Sequence, residues 1–147
     1  MVEAVIVSAA RSPIGRAVKG SLRAVRPDDL VVQMIEAALR KVPALDRGDI
    51  VDLMLGCGLP GGHSGHNMGR VAAVLAGMDH VPGTTVTRYC ASSLQTTRMA
   101  FHAIKAGEGD VFISAGVESV SAANSSCWAR VVPVSAAMFS AVCPIAM

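Results

Sequence analysis

Aromatic side chains are scarce in this chain: three Phe, one Tyr and one Trp make up 3% of 147 residues. Net charge is only +2, so the chain lacks both the stacking platforms and the basic stripe with which proteins hold nucleic acid. The four cysteines, at 57, 90, 127 and 143, form no Cys-x-x-Cys pair and have no regular spacing, so neither a zinc site nor a disulfide framework is indicated. A reducing cytoplasm is the expected compartment. The longest uncharged stretches lie beyond Arg130 and are broken by Pro133 and Pro144, while the N-terminus opens on a strand-like run carrying Glu3. Neither a secretory leader nor a spanning helix is read, and no membrane partner is expected. Acidic residues are missing after Glu118.

What is present is apolar. At 52% hydrophobic composition the chain fits one domain, able to bury about two-thirds of its extended-chain surface. Residues 3–8 read as a short buried strand that ends at the Arg11-Ser12-Pro13 turn. Between Pro27 and Val42, Leu30, Val31, Met34, Ile35, Ala38 and Leu39 fall on one helical stripe. Pro27 suits the first turn, Asp28 and Asp29 its positive end, Arg40 and Lys41 the negative end, and Pro43 stops the run. Val51–Cys57 is a second strand and Asn67–Ala76 a second helix, ending near Gly77. Thr84–Arg88 is a third strand, Ser92–Ala106 a third helix capped by Gly107, and Val111–Ala115 a fourth strand, apolar on both faces. Strand and helix alternate, which predicts an α/β layered domain with a mainly parallel sheet.

Cys90 stands where the third strand meets the third helix, in Val86-Thr87-Arg88-Tyr89-Cys90-Ala91-Ser92-Ser93-Leu94-Gln95. The first turn of a helix offers unpaired N–H groups and partial positive charge, both of which favour a thiolate. An isolated cysteine at pKa about 8.5 is only about 3% thiolate at pH 7, and a helix terminus lowers that pKa by less than a unit. Full activation takes a base. His102 lies twelve residues along the same helix, about 18 Å from the thiol. His63, His66 and His80 precede the motif on loops. Arg88 is a candidate electrostatic partner of the thiolate, with an outward-facing strand position as the alternative.

At these residues the sequence resembles the thiolase family of acyl-CoA acyltransferases. Cys90-Ala91-Ser92 followed by Leu94-Gln95 resembles the family's acylation motif. Arg11-Ser12-Pro13-Ile14-Gly15, Gly65-His66-Asn67-Met68-Gly69-Arg70 and Ala115-Gly116-Val117-Glu118-Ser119-Val120-Ser121 match further family segments in the same order, over roughly residues 1–121. Position 93 is Ser where the commonest pattern has Gly, and Thr87 stands where many members carry Asn. The resemblance implies a thiolase-like N-terminal half-domain. It also implies Cys90 as acylation nucleophile, acyl-CoA or acetyl-CoA as substrate, no bound cofactor, and association into homo-oligomers or aggregates through exposed faces. Arg11, Asn67 and Arg70 correspond to structural or subunit-contact positions. The Gly-His-Pro histidine and the Cys-x-Gly cysteine that complete the family's reaction do not occur in this chain, so full turnover by the chain alone is not expected.

Rival readings concern other segments. His63 and His66 make a His-x-x-His pair in a glycine-rich loop, two metal ligands without a third. Gly56-Cys57-Gly58-Leu59-Pro60-Gly61 fits G-x-G-x-x-G after a strand, but Pro60 removes a donor and Gly61–Gly65 delays the helix that a dinucleotide needs. A non-catalytic remnant or interaction module fits the same residues. Residues 122–147 hold Trp128 and two of the four cysteines and show no sustained periodicity. They read as a divergent tail, either out of register with the ancestral coding sequence or a divergent but genuine C-terminus.

Overall fold

A computed structural model describes residues 3–16 and 19–119 and the backbone of residues 138–145. Strands β1 (Glu3–Arg11), β2 (Ile50–Gly56), β3 (Gly83–Val86), β4 (Val111–Gly116) and β5 (Met138–Ile145) form one sheet in the order β1-β5-β4-β2-β3. β2 pairs in parallel with β3 and β4, and β5 runs antiparallel to both β4 and β1. Helices α1 (Pro27–Leu39) and α2 (Met68–Leu75) cover one face and α3 (Ser92–Ala106) the other, so the fold is the expected α/β layered domain.

The larger core lies under α1 and α2. There Val31, Ile35 and Ala38 of α1 and Met68, Ala72 and Ala73 of α2 meet Leu53 and Leu55 of β2 and Ile113 and Ala115 of β4. Under α3, Ala100, Ala103 and Ile104 pack on Met54 and Phe112. Alternation along β2 and β4 sends neighbouring residues to the two cores, which is why β4 is buried at all six positions. Helix ends follow their local chemistry. α1 starts with Pro27 at a position that needs no N–H, and Arg26 Nε and Nη2 donate to the two oxygens of buried Asp28 at 3.0 and 2.6 Å. α3 ends at Gly107, whose φ of 79° only glycine adopts without strain.

Two expectations are corrected. The first strand is longer than residues 3–8 and is not buried: β1 lies at the sheet edge, paired on one side only, and Ile6 and Val7 are exposed. The last segment does contain a strand. Residues 138–145 insert between β1 and β4, antiparallel to both. Pro144 lies beyond the Ser140–Val142 stretch that pairs with β4, so its missing N–H leaves no gap in that ladder. The remainder of the proposed tail, residues 122–137 and 146–147, lies outside the described residues.

Candidate active site

The carboxyl ends of β2, β3 and β4 converge on one small region, the place where open parallel sheets bind ligands. Backbone bonds tie the three ends together. Cys57 N–H donates to Val86 O at 3.0 Å, Val117 N–H to Gly56 O at 2.9 Å, and Thr87 Oγ1 to Gly58 O at 3.3 Å.

Cys90 sits on this platform. It is the middle residue of a 3-10 turn, Tyr89–Ala91, that runs directly into α3, so the thiol precedes the first α-helical turn instead of lying on it. Tyr89 takes φ 50°, a left-handed conformation costly for an aromatic residue. Ser92 holds the turn: its Oγ accepts from Arg88 N–H at 2.9 Å and donates to Tyr89 O at 2.6 Å. The Cys90 side chain is exposed.

Glycines make room for the turn. A Cβ on Gly56 would lie 2.6 Å from the Ser92 carbonyl carbon and the Ser93 nitrogen, and one on Gly116 would lie 1.8 Å from Ser93 Oγ. A Cβ on Gly58 would meet Glu118 Oε2 at 2.7 Å and Tyr89 O at 3.1 Å. Serine at position 93 is therefore accommodated because Gly116 opposite it has no side chain. Behind it, Thr96 and Thr97 each hydrogen-bond Ser114 Oγ at 2.9 Å and anchor the first turns of α3 to β4.

Two ionisable groups lie beneath the turn. Cys57 is fully buried, and burial first, then the nearby Glu118 charge, push its thiol up to about 11. Glu118 is half-buried and accepts from Gly58 N–H at 2.8 Å. Burial pushes its carboxyl up, opposed by the N–H groups of Gly58 and Leu59.

A sequence profile of the thiolase N-terminal domain matches residues 4–137. The chain is 46% identical over 122 residues to a 3-ketoacyl-CoA thiolase of Bacillus subtilis, covering 82% of this chain and 31% of that protein. A beta-ketoadipyl-CoA thiolase of Acinetobacter baylyi is 45% identical over 124 residues, 84% of this chain and 31% of the relative. An Escherichia coli protein named 3-oxoadipyl-CoA/3-oxo-5,6-dehydrosuberyl-CoA thiolase is 44% identical over the same shares. This chain belongs to the thiolase family. It spans about a third of the length of these curated relatives.

The other residues singled out in this thiolase domain go to separate tasks. Arg70 donates to Val81 O at 2.7 Å and Asp79 O at 2.9 Å, and Asn67 caps α2 while donating to Gly83 O at 2.6 Å, so both join α2 to β3. Arg11 ends β1 in the ladder with β5. Arg88 Nη1 donates to Gln95 Oε1 at 2.7 Å, which aims its guanidinium along α3. His63 Nδ1 lies 3.1 Å from Arg26 Nη1, and His80 Nε2 lies 3.0 Å from Arg47 O. His102 is exposed on α3 with its ring edge on Phe101. Among the described residues no three His, Cys, Asp or Glu side chains come together as a metal site, and no helix is long and apolar enough to cross a membrane.

The G-x-G-x-x-G segment supports no dinucleotide. Gly56 and Gly58 face the Cys90 turn, a 3-10 turn follows at Gly62–Ser64, and α2 starts only at Met68. Sequence reading missed Glu118 as part of the site, although its segment was matched. The available signal was the pair of glycines one residue apart at the end of β2, which says that something approaches that backbone closely.

Proposed function

We propose that Cys90 is the acylation nucleophile of a thiolase-type acyl-CoA C-acyltransferase, with coenzyme A thioesters as substrates and no bound cofactor. The observation that carries this reading is an exposed thiol on a strained turn, packed on three glycines at the carboxyl ends of the strands and continuing into a helix N-terminus. In the degradative direction the Cys90 thiolate attacks the ketone carbon of a 3-ketoacyl-CoA. The bond between that carbon and the α-carbon breaks, the acyl group stays on sulfur, and acetyl-CoA leaves after its α-carbon takes a proton. Free coenzyme A then accepts the acyl group. The relatives' names span 3-ketoacyl and beta-ketoadipyl substrates, so chain length and direction are open within that class.

The proton transfers need a base and a second acid-base thiol. The chain contains neither a Gly-His-Pro histidine nor a Cys-x-Gly cysteine; His63 and His80 bond elsewhere, and His102 lies far along α3. The expected behaviour of the 147 residues alone is one slow acylation without turnover. Incubation with acetyl-CoA followed by peptide mass spectrometry tests it: an acetylated Cys90 peptide that is lost in Cys90→Ala supports the assignment, and an unmodified Cys90 after prolonged incubation refutes it.

Self-association in the cytoplasm belongs to the same proposal. β3 ends the sheet, and Val71, Val74 and Leu75 on α2 and Leu94 and Phe101 on α3 expose apolar surface. A monomer by size-exclusion chromatography would refute it. The reading of residues 122–147 as out of register rests on the lack of acidic residues there, and the profile match to residue 137 stands against it over its first part. Translating the gene in all frames past Ser121 decides the matter: family motifs in a shifted frame would confirm it, and a single continuous frame would refute it.

A further inference from the structure

Glu118 has no assigned task, yet its half-buried carboxylate lies beside the Cys90 turn and bonds backbone there. Its Oε2 accepts the Gly58 N–H at 2.8 Å. The face of Gly58 that Glu118 touches is also touched by the backbone carbonyl of Tyr89, with 2.7 and 3.1 Å from the point a Cβ would occupy. Carboxylate, loop and cysteine turn thus meet at a contact too tight for a methyl group. On the opposite side, Thr87 Oγ1 donates to Gly58 O, so Gly58 is held through both its N–H and its carbonyl.

The turn needs such a backing. Tyr89 at φ 50° is intrinsically unfavourable and persists only where its surroundings over-determine it. Ser92 supplies one restraint from the helix side, and the Gly58 loop supplies the other from the sheet side. The loop itself has little side-chain packing of its own at Gly58, so its position depends on what bonds its amides.

We propose that Glu118 is a positioning residue: by holding the Gly58 amide it fixes the loop on which the Tyr89-Cys90 turn rests, and so sets the orientation of the Cys90 thiol. This rests on the reading of Cys90 as nucleophile only for its use in acylation; the mechanical claim concerns the turn itself.

The test measures the rate of Cys90 modification by iodoacetamide, resolved by peptide, in the full chain. Glu118→Ala removes the acceptor and is expected to slow modification about tenfold, the scale on which small misplacements cost rate. Glu118→Gln keeps an oxygen for the Gly58 N–H and is expected to restore the rate to within about twofold of the parent. Glu118→Asp keeps the charge but draws the carboxylate back by one methylene, and should behave like Glu118→Ala; it carries the prediction if Glu118→Ala fails to fold. Equal rates in Glu118→Asp and the parent overturn the proposal. So does equal slowing in Glu118→Gln and Glu118→Asp, which would make charge and reach indistinguishable from general damage. Acetylation by acetyl-CoA, run in parallel, separates the two claims. A parent chain that is never acetylated but shows the iodoacetamide pattern keeps Glu118 and loses the acyltransfer reading; an acetylated parent with no Glu118 effect does the reverse.

Discussion

Cys57 and Cys90 are the same residue type at the ends of neighbouring elements, and the fold gives them opposite chemistry. Cys57 follows β2 under α1 and α2, has no exposed surface, and is held as a neutral thiol by burial and by the charge of Glu118. Cys90 follows β3 on the open end of the sheet, and the turn that carries it projects its side chain to solvent. The contrast shows that exposure of a thiol here is a property of backbone placement. One cysteine continues a strand into the core, while the other is lifted out by a left-handed Tyr89.

The most damaging way to break this contrast is to fill the space under the Cys90 turn. Gly56→Ala places a methyl against the Ser92 and Ser93 backbone, which cannot rotate away, and is expected to cost about 1–3 kcal/mol as overpacking does. Thermal unfolding should shift down by several degrees, and Cys90 modification should change with it. A melting temperature equal to the parent's would mean that the turn is not packed on β2 as described.

A second measurement sharpens the comparison without mutation. With iodoacetamide under native conditions at pH 8, Cys57 should react at least about 100-fold more slowly than Cys90, because a fully buried thiol reacts only through opening fluctuations. Comparable rates would place Cys57 in solvent. The pH dependence has a definite sign. In the unfolded chain Cys57 loses its proton near its ordinary value, about 8.5, and in the folded chain only near about 11. Its contribution to stability is therefore complete below about pH 8.5 and is lost as pH rises toward 11. Denaturant titrations across that window should show a fall that Cys57→Ala reduces.

The smallest effect is that of Glu118 on Cys57. Glu118→Gln removes a negative charge that helps hold the thiol protonated, so the Cys57 pKa should drop. It should stay above the ordinary value, because burial is the larger cause. Carbon NMR of labelled cysteine Cβ reads this directly, and an unchanged Cys57 titration would mean that the two groups do not sense each other.

Much of the architecture was legible beforehand because local rules and tertiary packing agree. The stripe from Leu30 to Leu39 makes α1, Pro27 starts it, Gly107 ends α3, and the doubly apolar run at Val111 is a strand buried on both faces. The errors fall where a neighbour decides. β1 looks like a core strand in sequence, yet its place at the sheet edge leaves Ile6 and Val7 in water. β5 is set between β1 and β4 by pairings with distant segments, which local period does not encode.

The site divides in the same way. The residues around Cys90, read against a known motif, were enough to single out the thiol and to place it between a strand and a helix. What sequence could not determine is which distant atoms meet at the turn. Glu118 lies 60 positions from the Gly58 amide it binds, and Gly116 makes room for Ser93 from a different strand. Hydrophobic period and capping act over a few residues, so they can be read along the chain. The support of the Cys90 turn depends on three parallel strands ending side by side, and that register exists only once the sheet has formed.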